Sequence, residues 1–150
     1  MTSDSKSGRL EELDGIIIKL TAIVGELAAI EQEKAQAVSL YRHRQLEACI
    51  RREQASILKL RGAEEKRLEC MKALGWEGLS LSQLTSALKE EPFPRLTASL
   101  ERLKEATDGL LAFKADSERI LKVRLHALEA AADQARAEIS RKPSHGRTYV

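Results

Sequence analysis

The chain has 150 residues, of which 43% are hydrophobic, 32% charged and only 3% aromatic, with three prolines and a formal net charge of +2. Ala, Leu, Glu, Lys and Arg dominate, which suits long helices and not a sheet, because strands draw on Val, Thr, Tyr and Phe. Interleaved acids and bases speak against a polyelectrolyte tail or a strong nucleic-acid field, and the length suits a single domain.

Residues 1–8, MTSDSKSG, show no apolar period and lack the apolar stretch of a secretory signal. They are expected to be a disordered end of a cytoplasmic protein. From Leu10 the apolar positions Leu10, Leu13, Ile17, Leu20, Val24 and Leu27 step by threes and fours, the seam of a packed helix. Ile16, Ile23 and Ile30 widen that stripe, as in a bundle helix with two neighbours.

The stripe falters at Glu31 and Lys34 and resumes at Leu46. A single helix from Leu10 to Leu74 would be nearly 100 Å long at about 1.5 Å per residue, too long for a chain of this size to cover. A turn is therefore placed at Leu40 to Arg44. The second helix carries Ile50, Ile57, Leu60, Leu68, Met71 and Leu74 as its expected buried face. Its cysteines, Cys49 and Cys70, are 21 residues apart. That is roughly 30 Å along a helix, beyond disulfide reach, so both are expected to be reduced packing thiols.

Gly75 suits a left-handed helix stop, and Lys72 places a cation in the last turn. Ser80 and Gln83 have the spacing of a capping box for a short helix through about Lys89. Pro92 and Pro94 break it, and Pro94 can open the final helix, about Arg95 to Arg141. The final stripe runs Leu96, Leu100, Leu103, Leu110, then Leu121, Leu125, Leu128, Ala132, Ala135 and Ile139. The tail, KPSHGRTYV, has no period and is expected to be disordered over residues 142–150. The fold expected is all-α: one domain, an antiparallel bundle of three long helices plus one short helix, the C-terminal helix the longest. At about 70 Å against about 45 Å for its partners, the last helix must bend or run past them. Its distal half, Leu121 to Ile139, is where an exposed apolar strip is expected.

Catalytic and metal-binding patterns are not found. The residues three before His43, His126 and His145 are Leu40, Val123 and Lys142, so the Glu-x-x-His spacing of carboxylate-bridged metal bundles fails. No Cys-x-x-Cys, His-Glu-x-x-His or glycine-rich phosphate loop occurs. Arg51 and Arg52 sit among Glu47 and Glu53 without an aromatic platform for bases. The expectation is a non-enzymatic protein with no cofactor, no metal, no nucleic-acid partner and no stable membrane insertion. No apolar run approaches the roughly 18–20 residues that span a bilayer.

Around the central turn the residues Glu64, Arg67, Leu74-Gly75 and Leu81-Ser82-Gln83-Leu84 form an ordered series. Upstream stands RREQASILKLRG (residues 51–62), and near the end Thr148-Tyr149, with Val150 in a position where glycine is usual. In this order the chain resembles the FlgN family of flagellar export chaperones, from about Leu10 to Tyr149. It departs from that family at Tyr41-Arg42, where a Gly-Asp turn is common. A second departure is Asp116-Ser117-Glu118, where asparagines are common. The resemblance implies a cytoplasmic chaperone of flagellar type III export. Such a protein binds the C-terminal segments of hook-associated (hook-filament junction) proteins, prevents premature assembly and delivers them to the export gate. A client helix would lie on an apolar strip. The candidate client-binding residues are Leu110, Phe113, Leu121, Leu125, Leu128 and Ile139, each of which could equally be bundle core. Tyr149 is the candidate contact with the export apparatus. The chaperone could be a monomer or a homodimer. The main alternative is a self-associating helical scaffold or adaptor without chaperone activity.

Overall fold

The computed structural model describes residues 3–141, without the side chains of Ser3, Ile120, Leu121, Arg124, Leu125 and Leu128. Among the described residues the regular elements are four α-helices: α1 (Ser3–Ser39), α2 (His43–Ala73), α3 (Leu81–Glu90) and α4 (Pro94–Arg141). The all-α expectation holds. The chain divides into two compact units, one through Lys114 and one from Ala115, with α4 contributing to both.

Within the first unit the whole seam read from α1 is buried, from Leu10 through Leu13, Ile17, Leu20 and Val24 to Leu27. Burying one such side chain is worth about 1.5–3 kcal/mol. Six of them outweigh the cost of Gly15 and Gly25, about 1 kcal/mol each in a helix interior. Both glycines face outward, so they take no core position. The helix starts at Ser3, however, and not at Leu10, which corrects the expected disorder of residues 3–8. A polar stretch without a period still has helical backbone available to it. Here Asp4 lies in the first turn, and Lys6 forms an ion pair with Glu91, just past α3.

The first turn lies where expected. The Arg42 N–H donates to the Ala37 carbonyl at 2.9 Å and the Tyr41 N–H to the Val38 carbonyl at 3.3 Å, with Tyr41 at φ +55°. This is a Schellman stop with tyrosine at the left-handed position that glycine usually fills. The end of α2 repeats the motif with glycine: Trp76 N–H donates to Met71 O at 2.8 Å, Gly75 N–H to Lys72 O at 3.1 Å, and Gly75 has φ +80°. Trp76 is partly buried and packs against the core beside that joint.

The face expected of α2 is corrected in part: of its stripe Met71 and the capping residue Leu74 are buried, as expected. Its fully buried positions are Cys49, Ser56, Ala63 and Cys70, seven residues apart, together with Met71. Ile50 and Leu68, expected in the core, are 39% and 54% exposed, while Ile57 and Leu60 are partly buried. Small side chains let two helix backbones approach closely, and α1 and α2 come within 8 Å, Cα to Cα. They run antiparallel: Glu26 pairs with Lys59 at 3.7 Å, Lys34 with Glu53 at 2.9 Å, and the Cys70 thiol donates to the Arg9 carbonyl at 3.3 Å. Close backbone approach and helix-to-helix hydrogen bonds won over maximal burial of large residues.

α3 is capped as its sequence predicts. The Gln83 N–H donates to Ser80 Oγ at 3.1 Å, and the Ser80 N–H to Gln83 Oε1 at 2.8 Å. Leu84 and Leu88 then enter the core. In α4, Leu96, Leu100 and Leu103 are buried, and Ser99 Oγ donates to Asp14 Oδ1 at 2.6 Å. Ser99 opposite Asp14, and Lys114 near Glu31, set this part of α4 parallel to α1. The first unit is thus an up-down-up bundle with α3 as a short insertion.

Candidate functional site

From Ala115 the second unit is helical through Arg141. Among the described residues its ion pairs lie within the helix, Asp116 to Arg119 at 3.4 Å and Asp133 to Arg136 at 2.7 Å. Such exposed pairs contribute about 0.3–0.5 kcal/mol each and give no surface its specificity. The apolar content is more telling. Val123 is 66% and Ile139 70% exposed, and Val123, Ala127 and Ala130 with the stems of Lys122 and His126 form a shallow apolar surface.

The candidate residues separate accordingly. Leu110 and Phe113 belong to the first unit. Leu110 is partly buried against the core cluster, so ordinary packing accounts for it, and Phe113 is also partly buried. Leu121, Leu125 and Leu128 occupy helical positions of the second unit, with side chains outside the described set. Ile139 is the described candidate with an open side chain. Tyr149 lies outside the described residues, as does the rest of 142–150.

The first unit also has a groove that sequence reasoning missed. Leu81, Ser82 and Thr85 of α3 face Leu100, Lys104 and Thr107 of α4 across an open volume of about 560 Å³. No separate signal marked it: Leu81 precedes Leu84 and Leu88 by three and seven residues, on the face that packs against the core. Exposed apolar side chains also occur singly on α1 and α2, at Ile18 and Leu58.

Among the described residues two sets of titratable groups are perturbed, and both lie between α1 and α2. The Glu31 and Glu53 carboxyl groups share a hydrogen bond, while Lys34 Nζ lies 2.9 Å from Glu53 and 3.5 Å from Glu31. Burial, reinforced by Glu53, holds Glu31 above the ordinary carboxylate range. The hydrogen bonds from Glu31 and Lys34 hold Glu53 below it. Burial opposes the Lys34 charge, but the two carboxylates outweigh it and raise its pKa. The exposed Lys114 of α4 adds a weaker attraction, the least of the influences on both carboxyl groups.

The cysteines are the other set. Burial, then Glu33, raises the Cys49 thiol, and burial, then Glu12, raises that of Cys70. Both are free and buried, as expected of packing thiols, and a raised pKa suppresses the reactive thiolate. Among the described residues no group of three or more His, Cys, Asp and Glu is placed to hold a metal ion. His43 and His126 are exposed. No helix among the described residues is long and apolar enough to cross a membrane.

The ordered series from Glu64 to Leu84 has local structural roles. Glu64 receives a two-pronged pair from Arg67, with Nε and Nη2 each at 2.9 Å from a carboxylate oxygen. Leu74-Gly75 closes α2, and Leu84 seats the capped α3 in the core. Compared with protein-family models, curated proteins and solved structures, the chain finds no match.

Proposed function

We propose that this protein is a cytoplasmic chaperone of flagellar type III export. In this reading it binds the C-terminal segments of hook-associated proteins, prevents their premature assembly and hands them to the export gate. It performs no catalysis. The observation that carries this reading is the apolar surface of the second unit, where Val123 and Ile139 stand open on a helix whose ion pairs are all its own among the described residues. An amphipathic client segment can lie on such a surface as a helix and withhold its own apolar face from aggregation. The ordered series from Glu64 to Leu84, which resembles the FlgN pattern, supports the choice of client class. Tyr149 is the proposed contact with the export apparatus, and the chaperone acts as a monomer or a homodimer.

The test is calorimetric titration of the full chain with synthetic C-terminal segments of hook-associated proteins. Binding near one-to-one is expected, weakened by Val123→Asp and Ile139→Asp and unchanged by Arg51→Ala. Failure of every segment to bind, together with a stable oligomer in light scattering that Ile139→Asp dissociates, would establish the self-associating scaffold in its place.

A further inference from the structure

The tip of the α1–α2 hairpin has three features that folding alone does not explain. Tyr41 occupies a left-handed position at φ +55°, a conformation that costs a residue with a Cβ atom free energy that glycine does not lose. Burial gives nothing back, because Tyr41 is 84% exposed and its neighbour Leu40 49%. The same motif at the end of α2 uses Gly75, so this chain does place glycine where the conformation asks for it.

The third feature is charge. No acidic residue occurs between Glu33 and Glu47, and Arg42, His43 and Arg44 are all exposed. Among the described residues Arg42 and Arg44 have no ion-pair partner, whereas Arg52 and Lys59 further along α2 both do. The cations sit at the start of α2, whose first turn lacks an acid and whose cap side chain makes no hydrogen bond. Positive charge at a helix start opposes the helix dipole, so the arrangement is unfavourable until negative charge arrives from outside.

We propose that this tip, Leu40 to Arg44, is a docking point for an acidic protein segment that carries an apolar or aromatic side chain. The carboxylates pair with the Arg42 and Arg44 guanidinium groups, which accept planar acids in two-pronged fashion. The apolar side chain covers the Tyr41 ring and Leu40. Binding thereby removes exposed apolar surface and supplies the charge that the start of α2 lacks. The surface is separate from the one proposed on the second unit, and either can fail without the other.

Fluorescence anisotropy of the full chain with labelled synthetic peptides tests this. The probe is a short Glu/Asp-rich peptide containing Leu and Phe. The controls are its Lys-substituted counterpart and a single-stranded RNA of equal length. The acidic peptide is expected to bind saturably, with affinity falling as salt rises. The Arg42→Glu, Arg44→Glu double variant should weaken it by about tenfold or more, while Arg61→Glu and Ile139→Asp leave it unchanged. Tyr41→Gly should weaken binding and at the same time raise Tm, a combination that damaged folding cannot produce. The proposal is overturned if the acidic peptide does not bind at millimolar concentration. It is equally overturned if Arg61→Glu weakens binding as much as the double variant, or if the RNA binds more tightly and displaces the peptide.

Discussion

Ser56 is the most direct probe of how α1 and α2 fit together. Its side chain is 1% exposed in the small-residue row of α2, and its hydroxyl oxygen has no hydrogen-bond partner. A buried polar group left unsatisfied costs about 1–3 kcal/mol. Ser56→Ala removes that group and keeps Cβ, so the helices need not move. Alanine also gains about 0.5 kcal/mol in helix propensity. Against this stands a small void where the oxygen was, worth about 0.3 kcal/mol for a volume of about 12 Å³. The net expectation is a gain of about 1–3 kcal/mol. For a chain of this size that raises Tm by about 4–10 °C.

Urea unfolding followed by far-ultraviolet circular dichroism and by Trp76 fluorescence would measure the gain as a shift in midpoint at constant m-value. Ser56→Leu is the counterpart: an added branched side chain must push apart two backbones in close approach, at a cost of about 1–3 kcal/mol or more. If Ser56→Ala destabilised the protein, the hydroxyl would be making a favourable bond, and the reasoning from an unsatisfied group would be wrong. If Ser56→Leu were neutral, the close approach would not depend on small residues.

Asp14→Ala removes the acceptor of the buried 2.6 Å hydrogen bond from Ser99 and should cost about 2 kcal/mol. In a double-mutant cycle with Ser99→Ala, a coupling below about 0.5 kcal/mol would show that the pair does not help hold α4 to α1. Both thiols have raised pKa values in the folded chain, so the native state keeps its thiol protons where the unfolded state loses them. Their contribution to stability is complete below the ordinary thiol value of 9.0 and declines as pH rises through the folded values. Guanidinium titrations across that window should show the loss, and a Cys49→Ala, Cys70→Ala variant should not show it. Glu31 also has a raised pKa, so its proton stabilises the fold below 4.5 and that contribution is lost as pH rises through the folded value. Glu31→Gln should therefore be more stable than the parent at pH 7, with the advantage shrinking towards pH 4.5. An advantage independent of pH would rule out the ionised carboxyl as its source.

Local order was largely legible in the sequence. Alternating steps of three and four from Leu10 to Leu27 specify a helix and its buried face without reference to any partner, and the structure buries all six positions. Gly75 and the Ser80–Gln83 pair act through bonds that span at most five residues, so the end of α2 and the start of α3 could be placed directly. The turn at Leu40 to Arg42 was located by a gap in the stripe, although its left-handed residue is a tyrosine. The start of α1 at Ser3 was not legible, because the Lys6–Glu91 pair joins positions far apart in the chain.

What only the tertiary structure decided is which of several apolar faces meets which neighbour. α2 has a row of large residues and a row of small ones, and helical periodicity allows either row to be buried. The close approach of α1 selected Cys49, Ser56, Ala63 and Cys70 and left Ile50 and Leu68 open. Likewise, Leu110 and Ile139 carry the same signal in the stripe of α4. Yet Leu110 packs against the core and Ile139 is 70% exposed. Periodicity is a property of one helix, whereas burial depends on how near a second helix can come. Side-chain size on both partners sets that distance, and no single stretch of sequence contains both.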